Sequence, residues 1–143
     1  MLTVVFIAAV LVAITVAIHA AGLSLVLSYL VKSQAQPPTQ PWPITLLLIR
    51  LTWLLILIHA AEISVWAFFY LWAGCLPDAE SAFYFSGVTY TTIGYGDVVL
   101  AKPWRMLGPI EGMAGILMCG LSAGLFFATV SRIYAPRLDD KQP

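Results

Sequence analysis

Thr91-Thr92-Ile93-Gly94-Tyr95-Gly96-Asp97 is the stretch on which the reading of this chain turns. Glycine alternates there with a bulky residue, and the alternation begins where a short helical pattern stops. Gly94 and Gly96 accept φ > 0 without steric cost, so successive carbonyls can face one side while Ile93 and Tyr95 turn outward to pack. Upstream, Pro77 and Asp78 form a helix start signal with Asp78 as N-cap, and Ala79 to Thr91 supply about three or four helical turns.

Working outward, three long apolar runs appear at Leu2 to Val31, Ile44 to Ala73 and Met106 to Tyr134. Each is long enough as a helix to cross a hydrocarbon core of roughly 30 Å. The chain has 143 residues, 61% of them hydrophobic and 10% charged, which places it in a bilayer and not among soluble domains. Lys32 to Pro43, rich in proline and polar residues, reads as a loop outside the hydrocarbon. Gly74 to Arg105 is too short and too polar at its ends to span, and reads as a re-entrant loop. Irregular backbone at membrane depth persists only where its polar groups are satisfied, and a dehydrated cation held by the carbonyls around Gly94 and Gly96 satisfies them.

Composition excludes other classes. Seven basic and seven acidic residues cancel, so no global field recruits nucleic acid or an acidic soluble substrate. Cys75 and Cys119 are too few and too far apart for a disulfide framework or a zinc site and read as small apolar fillers. Met1 is followed by apolar residues with no basic n-region, over a length beyond a signal-peptide core, so the first helix is expected in the mature protein. Lys32 and Arg50 flank the first loop and Arg132, Arg137 and Lys141 follow the last apolar run, against Lys102 and Arg105 on the other side. The positive-inside rule then puts the N-terminus and the re-entrant loop outside and the C-terminus in the cytoplasm. No enzyme is expected.

Thr91 to Asp97, set after a short helix and between two spanning runs, resembles the signature of the tetrameric pore-loop potassium channels of prokaryotic type, with Ile93 where many members have valine. The resemblance covers roughly Ile44 to Tyr134. It implies an all-α membrane protein, homotetrameric, with three transmembrane helices per subunit plus a re-entrant pore helix and selectivity filter. The expected units are an N-terminal helix and cytoplasmic loop (1–43), a pore module (44–134) and a short cytoplasmic tail (135–143). Within the module lie an outer helix (44–73), a pore helix (78–91), the filter (92–96) and an inner helix (105–134). The likeness implies K+ held by Thr92, Ile93, Gly94 and Tyr95, with Gly96 completing the filter and the Thr92 hydroxyl lining its inner end. It places Asp97 at the outer mouth, tied to an aromatic residue of the pore helix for which Tyr84 is the candidate, with Thr91 as filter support. The implied partners are three further copies, the lipid bilayer and permeant K+; no resident cofactor and no soluble substrate are implied, and the location is the inner membrane of a prokaryote. Val88 stands where some relatives place glutamate and Leu100 where proline is often found, so slow inactivation is expected to differ. A weakly selective cation pore and a non-conducting accessory subunit stay open beside the potassium channel.

Gly108 to Leu117 is similar to the family's inner-helix hinge region, and Gly115 fits the hinge position. Close helix packing is the other use of a glycine there, as Gly120-Leu121-Ser122-Ala123-Gly124 is a small-residue packing pattern. Helical spacing puts Ile116, Cys119, Ala123 and Phe127 on one face, which lines the cavity in a bundle; four Phe127 rings near the cytoplasmic end would close it by dewetting. No run of Arg or Lys at every third position marks a voltage sensor of the usual kind. His19, His59, Glu62 and Glu111 are ionisable residues inside apolar runs, and such groups are costly. Ile18-His19-Ala20-Ala21 recurs as Ile58-His59-Ala60-Ala61. Three readings stand side by side: the histidines hydrogen-bond between the first and outer helices, His59 and Glu62 form a proton-sensitive pair, or His19, His59 and Glu62 bind a metal. Glu111 is expected behind the pore helix, bonded to its backbone or hydroxyls.

Overall fold

A computed structural model describes residues 2–33 and 41–139. Most of the loop expected at 32–43, and Lys141 of the tail, lie outside the described residues. Four helices and one 3₁₀ turn make up the ordered elements: α1 (Leu2–Ser33), α2 (Pro41–Trp72), α3 (Ala79–Tyr90), the 3₁₀ turn (Trp104–Met106) and α4 (Leu107–Asp139). The fold is all-helical, and α1, α2 and the 3₁₀–α4 unit are each long and apolar enough to cross a membrane.

Element ends follow local chemistry. Helix α2 begins at Pro41, inside the stretch expected as loop, because proline in the first turn gives up only an N–H that has no intrahelical partner. It ends in a Schellman motif: Cys75 N–H reaches the Tyr70 carbonyl at 2.8 Å and Gly74 N–H the Leu71 carbonyl at 3.1 Å, with Gly74 at φ +64°. Asp78 caps α3, its side chain accepting from Ser81 N–H at 2.8 Å. Helix α4 runs on to Asp139, beyond the boundary expected at 134, so part of the expected tail is helical.

Helices α1 and α3 both pack against α2 and α4, whose own direct contact is slight. The larger core joins Val4, Ala8 and Leu11 of α1 to Trp66 and Tyr70 of α2, with Phe85 of α3 and Leu107 of α4. A smaller one joins Val26 and Leu30 to Leu51 and Leu55. In hydrocarbon, apolar burial drives little, so close packing and polar ties must hold these helices together. Gly115 is the tightest such contact: a Cβ built there would lie 2.0 Å from the Tyr90 carbonyl oxygen, and one at Gly112 would lie 3.3 Å from that of Thr89. Of the two uses expected for Gly115, close packing is therefore the one with a visible cause, as α4 passes against the backbone at the end of α3.

Gly115→Ala should therefore shift α4 off α3 and destabilise the fold by about 1–3 kcal/mol, the usual cost of overpacking. Gly120→Ala, where nothing lies within 4 Å, should be neutral or gain up to about 1 kcal/mol of helix propensity. Thermal melts of both variants in mild detergent, followed by circular dichroism, check this; a parent-like melt for Gly115→Ala would refute the contact.

Candidate functional site

Where α3 stops, the backbone enters an unusual alternation. Thr91 forms the C-cap, its N–H and hydroxyl both donating to the Gly87 carbonyl, at 3.1 and 2.6 Å. Two further N–H groups fold back on the helix: Thr92 to the Thr89 carbonyl and Gly94 to that of Val88, both at 2.9 Å. Thr92, Gly94 and Gly96 then have φ of 62°, 53° and 79°, while Ile93 and Tyr95 between them keep negative φ. Left-handed φ at every second residue is the geometry that lets successive carbonyls face one side of the segment. The two glycines were legible in the sequence and Thr92 was not. A β-branched residue at positive φ is an outlier costing about 1–3 kcal/mol, of the kind found at functional sites. Only extending the period-two pattern back from Gly94 would have found it. Ile93 and Tyr95 are 55% and 70% exposed, two apolar side chains with nothing in their own chain to cover them.

Beyond the glycines, Asp97 is held from two sides. The Tyr84 hydroxyl donates to Oδ2 at 2.6 Å and Val98 N–H to Oδ1 at 3.0 Å. The Tyr84 hydrogen bond is the largest reason that the Asp97 carboxyl lies below the usual carboxylate range, and the same bond raises the Tyr84 phenol.

Behind this loop two buried carboxylates fix α3. Glu111 of α4 accepts from the Tyr70 hydroxyl of α2 at 2.7 Å and the Ser86 hydroxyl of α3 at 2.5 Å. Ser86 also lies 2.9 Å from the Ile63 carbonyl. Three helices thus meet on one side chain, the supporting position expected for Glu111.

Glu62 does the same one step nearer the loop. His19 Nδ1 lies 2.8 Å from Oε1, His59 Nδ1 lies 3.1 Å from Oε2, and the Tyr90 hydroxyl donates to Oε2 as well. His59 Nε2 is 3.1 Å from Ser122 Oγ, so the cluster reaches α1, α2, α3 and α4. The histidines do not bond each other: their rings are 5.5 Å apart, and the tie between α1 and α2 runs through Glu62. The His59–Glu62 pair is formed. Ligand atoms of His19, His59 and Glu62 do gather within 4.8 Å of one another. A zinc ion at about 2.0–2.2 Å from each would have to displace the Tyr90 hydroxyl, which already contacts both His59 Nδ1 and Glu62 Oε2, so the atoms present fit a hydrogen-bonded cluster better than a metal.

On α4, Ile116, Cys119, Ala123 and Phe127 are all exposed in the single chain, Phe127 by 72%. They form an open face. Cys119 is therefore no apolar filler within its own subunit, whereas Cys75 packs half-buried at the edge of the larger core. The family model described as "Ion channel" matches residues 45–132, which takes in most of α2, all of α3 and the loop, and α4 to Arg132, and leaves α1 out. Neither a curated protein nor a solved structure matches the chain.

Removing the Tyr84 hydroxyl takes away the largest cause of the low Asp97 pKa. A depressed carboxyl contributes stability above its unfolded pKa and loses it as pH falls through the folded value. In Tyr84→Phe the Asp97 titration should therefore move up, toward the ordinary carboxylate range, and the bond's contribution should be absent at neutral pH. Carboxyl ¹³C chemical shifts across a pH titration read this directly, and an unmoved Asp97 midpoint would refute the assignment.

Proposed function

Because this chain belongs to the ion channel family, we propose that it passes K+ passively across a membrane, through a filter formed where four copies bring residues 92–96 around one axis. The observation that carries the proposal is the alternation of positive φ at Thr92, Gly94 and Gly96. A strand with its carbonyls on one side offers a ladder of oxygens, and four such strands replace the water shell of a dehydrated ion. The carbonyls of Thr92, Ile93, Gly94 and Tyr95 are the K+ ligands in this reading. Gly96 lets the strand turn out, and the Thr92 hydroxyl lines the inner end.

Fourfold assembly is supported by what one chain leaves open. A ladder on a single strand cannot surround an ion. Ile93 and Tyr95 stand exposed beside a groove of about 490 Å³ lined by Thr92, Gly94, Gly96, Val99 and Gly112, a shape that takes an apolar side chain from an adjacent copy. The exposed face of Ile116, Cys119, Ala123 and Phe127 then surrounds the inner cavity, and the Phe127 ring forms the gate by dewetting. The C-terminus of α3 turns the negative end of its dipole toward that cavity. Asp97, kept ionised by Tyr84, forms a carboxylate ring at the outer mouth that raises local cation concentration. The excess of positive charge on Lys32, Arg50, Arg132, Arg137 and Lys141 supports an orientation with the α1–α2 link and the C-terminus in the cytoplasm.

Purified protein in liposomes with a K+ gradient should support flux that barium blocks and that an equivalent Na+ gradient does not. Gly94→Ala, forced to hold a side chain at φ +53°, should abolish it, and Phe127→Ala should speed it. Equal K+ and Na+ flux would instead identify a weakly selective pore, and no flux from folded protein would identify a non-conducting subunit.

A further inference from the structure

Along the outer side of α1 and α2 runs an open apolar groove of about 800 Å³. Its walls include Ile18 and Leu25 of α1 and Trp53 and Ala61 of α2, and its rim at one end carries Tyr29 and Arg50. Arg50 donates to the Tyr29 hydroxyl at 3.3 Å. Among the described residues the ion pairs join histidines to Glu62 alone, so no carboxylate lies within ion-pair distance of this guanidinium. A cation inside an apolar run is costly without a counter-charge. Arg50 lies six residues past Ile44, about 9 Å along α2, within reach of the interface for its long side chain.

The dimensions of the groove are informative. From Arg50 to Ala61 on α2, and from Tyr29 to Ile18 on α1, each wall runs eleven residues, or about 16 Å of helix. That is close to half of a hydrocarbon core of roughly 30 Å. The groove has the length of about one leaflet, is apolar along its walls and carries its cation at one end. Gly22 lines it, and a Cβ added there would come within 2.6 Å of Ile58 Cδ1, so the glycine lets the two walls meet. Helix α1 lies outside the residues that the ion channel family model covers, so the groove is a feature this chain adds to the pore module.

We propose that this groove binds one acyl chain of an anionic phospholipid, with the lipid phosphate on the Arg50 guanidinium and the Tyr29 hydroxyl. A planar guanidinium with several free N–H donors matches a phosphate better than any other headgroup component. A zwitterionic lipid brings its own cation to the same rim and is disfavoured. One basic residue near the surface corresponds to a preference of about fivefold.

Trp53, 62% exposed in the groove, is the reporter. Tryptophan emission of the full chain is titrated with brominated-chain phosphatidylglycerol and, separately, with brominated-chain phosphatidylcholine in mixed micelles. Subtracting the Trp53→Phe signal isolates the one residue. Half-quenching of Trp53 is expected at about fivefold lower mole fraction of the anionic lipid. In Arg50→Gln, with helix content checked by circular dichroism, the two lipids should quench alike. Equal quenching in the parent, an anionic preference surviving in Arg50→Gln, or no Trp53 quenching by either lipid would each overturn the proposal.

Discussion

A backbone polar group at membrane depth has no water to fall back on, and the proposed filter sets the irregular backbone of residues 92–96 against that constraint. Left-handed geometry at Thr92 adds about 1–3 kcal/mol of strain to it. The loop cannot hold this shape by itself, so its surroundings must. Two hydrogen bonds brace α3, from whose end the loop hangs: Ser86 donates to Glu111 and Tyr90 to Glu62, carboxylates that Tyr70, His19 and His59 hold in turn. At the roughly 0.6 kcal/mol typical of polar contacts inside membranes, the two come to about 1 kcal/mol, the low end of the strain.

The same bookkeeping gives α1 a place. It lies outside the matched family residues, yet His19 contributes a donor to Glu62 and Thr15 accepts from the Trp66 indole at 3.0 Å. Glu62 also receives the hydroxyl of Tyr90, the last residue of α3, two positions before Thr92. His19 of α1 and Tyr90 of α3 thus share Glu62 as a hydrogen-bond partner. Polar atoms, and not only packing, join α1 to α2 and through Glu62 to the end of α3.

Much of this was legible in the residues. Length and apolarity gave the three spanning helices, Asp78 the start of α3, the glycine spacing the irregular loop, and the isolated Glu111 a buried support. Tyr84 was named as the partner of Asp97 from the resemblance to the channel family, and its hydroxyl does lie 2.6 Å from Asp97 Oδ2. What escaped has physical causes. Positive φ at Thr92 is imposed by the alternation around it and leaves no mark on a threonine. Gly115 has the same sequence appearance whether it bends a helix or admits a carbonyl, and only the position of Tyr90 decides. The repeated Ile-His-Ala-Ala motif suggested histidine hydrogen bonds between the first and outer helices, and His19 makes one; its acceptor, Glu62, one turn past His59 on α2, was not named from the motif. Proline at 41 marks a break or a beginning with equal force, and the turn it starts was read as loop.

The central claim is geometric, and imaging tests it most directly. Single-particle electron microscopy of the purified protein in a lipid nanodisc with K+ should resolve four copies about one axis, with the carbonyls of Thr92, Ile93, Gly94 and Tyr95 turned inward and ion density between their layers. Copies arranged in any other symmetry, or those carbonyls turned away from a shared axis, would contradict it.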